Sequence, residues 1–146
     1  MRLSSRSEYG LRAMVYLASK YPSEQPVSVH EVALTEDIPE QYLVQIFNDL
    51  KKHQLVQSVR GAQGGFLLLH SPLEIVVGDV VRALEPRLSP MECVSDHPEC
   101  VKVDHCRTRS VWQRVQVAIT QVLDSMTLAE VTADEPPSIA FAQYPN

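Results

Sequence analysis

The sequence predicts a mainly α protein with one small β-hairpin and a long C-terminal helix, and three observations carry that fold class. Apolar residues recur at helical spacing in five separate stretches of the 146-residue chain. Strand character is confined to Leu55–Arg60 and Phe66–Leu69, and the intervening Gly61-Ala62-Gln63-Gly64-Gly65 holds three of the five glycines. A Val-rich stretch from Val111 to Met126 carries a broad apolar face with no Pro or Gly to interrupt it.

The elements follow in order. A first helix spans about Ser5 to Lys20, with Leu11, Met14, Val15 and Ala18 forming one apolar stripe. Ser5 and Glu8 have capping-box spacing, and Tyr21-Pro22 ends the helix. Ser28 caps a short second helix that turns Val29, Val32 and Ala33 inward. Thr35 to Ile38 make a turn, and Pro39 suits the first position of a third helix with Leu43, Ile46, Phe47 and Leu50 at core spacing. The hairpin comes next, then a short helix over Val76–Leu84 that Pro86 ends. From Pro86 to Arg107, three prolines and three cysteines without periodicity read as a loop. The division expected is a winged helix-turn-helix domain over residues 1–85, a cysteine-bearing loop over 86–107, a dimerisation helix over 108–130 and a mobile tail over 131–146.

Composition narrows the function classes. Apolar content of 45% and charged content of 21% are those of a soluble globular protein, and no apolar run approaches a membrane span. With no signal-peptide-like N-terminus, the cytoplasm is the expected compartment and no membrane partner is expected. The net charge of −5 is unevenly placed: residues 1–70 hold seven basic and seven acidic side chains, residues 71–146 six and eleven. A non-specific nucleic-acid coat is thereby disfavoured, while the first half carries no excess of acid. No nucleophile–base pair or phosphate-binding loop is present, since GAQGG lies in a hairpin rather than between strand and helix. The chain is not expected to be an enzyme.

A helix pair followed at once by a β-ribbon is how proteins lay one helix in the DNA major groove and a loop beside it. With its core residues turned inward, the third helix leaves Glu40, Gln41, Val44, Gln45 and Asn48 outside and Tyr42 on the flank. Gln and Asn amides pair bidentately with adenine edges. Lys51 is placed for phosphate, and Arg60 beside Gly61 on the turn is placed for the minor groove. Arg2, Arg6 and the start of the first helix form a second phosphate site, and Ser28 completes the DNA-facing set. Taken singly, Lys51 and Arg6 are ordinary surface cations; the ordered combination carries the DNA reading.

Cys93, Cys100 and Cys106 fall within fourteen residues, with no cysteine elsewhere. Iron–sulfur clusters need converging thiolates, which a flexible loop can supply. Structural zinc uses pairs spaced by two to four residues, which this chain lacks. The competing reading is a metal-free thiol switch.

The segments MRLSSRSEYGLRAMVYLA, IPEQYLVQIFNDLKKHQLVQSVRGAQGGFLL, VGDVVRALE and TLAEV resemble the winged-helix iron–sulfur transcriptional regulator family that includes IscR, NsrR and CymR, over roughly residues 1 to 131. The resemblance implies a homodimer on an inverted-repeat operator in double-stranded DNA, with recognition helices about 34 Å apart or a multiple of it. It places Gln41, Tyr42, Gln45 and Arg60 at the DNA, and Cys93, Cys100 and Cys106 as ligands of an iron–sulfur cluster sensing iron, redox state or nitric oxide, in a regulator expected to act as a repressor. IscR carries a histidine three residues after its last cysteine, where this chain has Arg109. NsrR carries an aspartate ligand where this chain has Glu8. The implied set is therefore Cys93, Cys100, Cys106 and Glu8 from the partner subunit, with [4Fe–4S] favoured over [2Fe–2S]. His97, Glu99, Asp104 and His105 are alternative fourth ligands, and the capping-box role of Glu8 competes with ligation. Two other readings stand beside this one: a thiol-switch regulator without metal, and a winged-helix protein-interaction module.

Overall fold

The computed structural model describes residues 3–95 and 98–133. Arg2, His97 and the tail from residue 134, for which phosphate contact, ligation and mobility are expected, lie outside the described residues. The first helix, α1, runs Ser5–Lys20 as its periodicity predicts. Its buried stripe is rotated from the expected one: Ser7, Gly10, Ala13, Met14, Leu17 and Ala18 face inward, while Leu11 and Val15 pack only at the edge. Gly10 marks a close approach, where a Cβ would collide with Leu84.

The expected capping box is not formed. Ser4, not Ser5, is the cap residue of α1, and its side chain caps no amide. The first turn is held instead from across the molecule. The Ser4 amide, the Ser4 hydroxyl and the Ser7 hydroxyl donate to Oε1 of Glu85 at 2.7, 2.6 and 2.6 Å. A carboxylate at a helix N-terminus meets both the unpaired amides and the positive end of the dipole, so it substitutes for a local cap.

Helix α2 (Val29–Glu36) is capped by Ser28, whose hydroxyl accepts from the Glu31 amide. Asp37 takes the left-handed conformation that ends it, at φ 51°. Helix α3 (Glu40–Lys52) follows with Pro39 at its cap, one residue before the expected position. Leu43, Ile46, Phe47 and Leu50 are all fully buried. Strands β1 (Val56–Val59) and β2 (Gly65–Leu68) pair antiparallel, Val56 opposite Leu68 and Val59 opposite Gly65. Val27 bonds both ways with Phe66 at 3.0 and 2.8 Å, so the hairpin is docked on the chain between α1 and α2. Gly65 permits that approach, since a Cβ there would strike the Val27 carbonyl.

Helix α4 (Val77–Leu84) closes the core with Val80 and Leu84. Among its described residues, the segment that follows contains a 3₁₀ turn, Glu92–Val94, within the expected loop. The long helix read to about residue 130 ends earlier: α5 spans Arg109–Asp124. Thr127 then starts a separate helix, α6 (Leu128–Thr132), through a reciprocal capping box with Glu130. The break has a packing cause. Val76 pairs with Thr127, and the fully buried Leu128 turns back into the main core, which an uninterrupted helix would carry it past.

Candidate nucleic-acid interface and cysteine loop

The outer face of α3 is formed as its spacing requires. Gln41, Val44, Gln45 and Asn48 are exposed, and the buried residues opposite fix the helix against α1 and α4. Tyr42 is half-buried, its ring edge-on to Tyr9 at 5.6 Å, so it sits at the flank with its position set by α1. Arg60 and Gly61 are exposed at the hairpin turn, where Gly61 takes φ 118°, a conformation natural to glycine.

Two contacts join the strands of this hairpin to the helix. Phe66 stacks on Phe47 with centroids 4.5 Å apart and planes 9° from parallel. The Lys51 ammonium donates to the Ser58 hydroxyl at 2.7 Å, which ties the helix end to β1. Helix and wing therefore present one rigid surface rather than two independent ones. Arg6, expected at phosphate, is engaged within the protein: it pairs with Asp49 of α3, a carboxylate that Lys52 also bonds at 2.9 Å. Ser28 uses its hydroxyl as a helix cap.

The cysteines lie in the segment that leads into α5. All three are free thiols, Cys93 buried, Cys100 and Cys106 partly exposed. The Cys106 thiol lies 3.3 Å from the Thr108 hydroxyl, and hydrogen bonding from that side chain, then from the Thr108 and Arg109 amides, holds its pKa below the ordinary thiol value. The start of α5 thus favours thiolate there. Arg109 donates through Nε to the Cys93 carbonyl at 3.1 Å, so this side chain fastens the loop backbone to α5. Gln116 does the same about two turns further on, donating to the Leu88 carbonyl at 3.0 Å.

As donors, three free thiols, one of them biased toward thiolate, fit the chemistry of an iron–sulfur cluster. Among the described residues, however, no three Cys, His, Asp or Glu side chains of one chain gather closely enough to hold a metal ion. Glu8 is exposed, and with its capping-box role absent it has no side-chain hydrogen bond among the described residues. No helix among the described residues is long and apolar enough to cross a membrane.

Known proteins share this arrangement. Protein rrf2 of Nitratidesulfovibrio vulgaris is 38% identical over 134 residues, which span 92% of this chain and 89% of that protein. The structure of CymR, the global cysteine regulator of Bacillus subtilis, superposes with a TM-score of 0.76 at 36% identity, covering 90% of this chain and 96% of that one. That of T. potens IscR superposes with a TM-score of 0.72 at 40% identity, covering 90% and 85%. These relatives share the winged-helix architecture, and those named by function are transcriptional regulators, not enzymes. A family profile described as an iron-dependent transcriptional regulator matches residues 3–134, and the chain belongs to this family, Rrf2, of DNA-binding transcriptional regulators.

Proposed function

We propose that the protein is a homodimeric regulator whose operator binding is governed by an iron–sulfur cluster. The observation that carries this reading is the trio of free cysteines in the segment anchored to α5, with Cys106 held toward thiolate. Cys93, Cys100 and Cys106 would hold the cluster, and Glu8 of a second subunit would complete the set. A bound cluster supplies redox- and ligand-responsive iron at this position. The chain's own residues do the rest: Arg109 and Gln116 fix the loop to α5, and α1 links Glu8 to the α3 contacts made by Arg6. A ligand on α1 would therefore bear on the reading helix. A coupling of about 1–3 kcal/mol changes DNA affinity about 5- to 150-fold.

On the DNA side, Gln41 and Gln45 would enter the major groove and Arg60 the flanking minor groove, in each half of an inverted repeat. Val111, Val115 and Val122 of α5 are exposed in the single chain, and a two-fold partner would cover them.

The test is native mass spectrometry and visible spectroscopy of protein purified without oxygen. A coloured dimer carrying one cluster per chain, [4Fe–4S] for preference, is the expected outcome, with Glu8→Ala weakening cluster retention. A colourless dimer from iron-replete cells would favour the second reading, a metal-free thiol switch. The depressed Cys106 pKa supports that alternative, as does the likeness to Staphylococcus aureus CymR, which has been solved in an oxidized form.

A further inference from the structure

The outward stripe of α3 has an unusual chemical makeup for a DNA-reading surface. Gln41, Val44, Gln45 and Asn48 follow one another at helical spacing, and all four are exposed. Ionisable groups occur only at its ends, Glu40 at the first turn and Lys51 and Lys52 at the last. Asp49 is drawn aside by Arg6 and Lys52. The middle of the helix therefore offers three carboxamides and one isopropyl group, with no guanidinium or ammonium among them.

Each base pair selects different chemistry in the major groove. Guanine is met by Arg or Lys, adenine by Asn or Gln, and thymine by an apolar group against its C5-methyl. An exposed valine alone means nothing, since apolar atoms cover much of any surface. Val44 is different because it sits at the centre of the stripe, between Gln41 and Gln45, and is 44% exposed. Its β-branched side chain is held to one rotamer in a helix, so its methyl groups form a preset surface that loses little freedom on contact.

We propose that Val44 reads thymine through its C5-methyl, and that the base pairs beneath α3 are A·T, their adenines taken by the flanking carboxamides. The inference rests on α3 entering the major groove, and it names what that helix selects there.

The test starts with selection by the intact protein from a pool of random-sequence duplexes. Each thymine of the enriched sequence is then replaced singly by deoxyuridine, which removes only the methyl, and binding is compared for the wild type and Val44→Ala. The wild type is expected to lose about fourfold at one thymine per half-site, the roughly 0.8 kcal/mol of one buried carbon. Val44→Ala, a change at an exposed helical position, is expected to melt as the wild type does and to bind the two duplexes equally. Deoxyuridine that is neutral everywhere, or a loss that persists in Val44→Ala, overturns the assignment while leaving the DNA-reading role of α3 intact. If no sequence is enriched, α3 does not read the groove and both conclusions fall.

Discussion

Helices α3 and α5 are both amphipathic, yet four of the 13 residues of α3 are fully buried and none of the 16 residues of α5 is buried. The first is clamped on every inward position by α1, α4 and the hairpin. The second is held by a few polar fastenings: Arg109 to the Cys93 carbonyl, Gln116 to the Leu88 carbonyl, and Asp124 to Arg82 at 2.8 Å. On the function proposed above, the contrast separates two jobs. A reading head must hold base-contacting groups in fixed geometry, which takes a dense core. A sensing and pairing element leaves its apolar surface for a partner, and its stability then depends on that partner.

The sharpest way to break this contrast is at Phe47, which is fully buried and stacked on Phe66. Phe47→Ala removes both the core contact of α3 and the seat of the hairpin, and about 3–5 kcal/mol of stability should be lost. Chemical denaturation reads this directly. A loss below about 1 kcal/mol would mean that the reading head is not the stable half of the chain.

The next largest effect is expected on α5. Placing charge at Val115 and Val122 together, both to Glu, should weaken self-association by more than about 100-fold, because the new carboxylates would be buried without partners. Sedimentation velocity gives the outcome. Wild-type dimer and variant monomer with the same helical content would confirm the division of labour. A dimer that survives both substitutions would show that α5 is not the pairing surface.

Much of this was legible in the sequence, and the reason is local. Helical period and one glycine-rich turn depend on neighbouring residues, so α1, α3 and the hairpin were readable from spacing alone. The inward set of α3 and its outer stripe followed from the same period. What escaped was contact at long range. Ser5 and Glu8 had the spacing of a capping box, but the helix start is held by Glu85, nearly 80 residues away, and spacing gives no sign of that. The break between α5 and α6 escaped for the same reason, since it is set by where Leu128 must reach the core. Arg6 was readable as a cation but not as the partner of Asp49. The cysteine trio was plain in the sequence, whereas the bias of Cys106 toward thiolate depends on the local turn that brings Thr108 beside it.

The smallest expected effect tests the seam between the two regions, where Glu85 is the last residue before the cysteine-bearing segment. Burial pushes the carboxyl pKa up, but hydrogen bonds from the Ser4 and Ser7 hydroxyls and the Ser4 amide, with the charge of Arg6, bring it below its ordinary value of 4.5. A carboxylate with a depressed folded pKa stabilises the fold above the unfolded value, and that contribution disappears as pH falls through the folded one. Glu85→Gln keeps the shape but removes the charge, so about 1–2 kcal/mol should be lost at neutral pH. The gap between wild type and variant should stay constant from pH 7 down to about 5 and close below about pH 4.5, as Glu85 itself takes up a proton. Urea unfolding of both proteins across that range measures it. A gap that persists unchanged to pH 3 would mean that the serines hold Glu85 equally well in either protonation state. The first turn of α1 would then owe its stability to shape rather than charge, and the seam would lose its claim to be electrostatic.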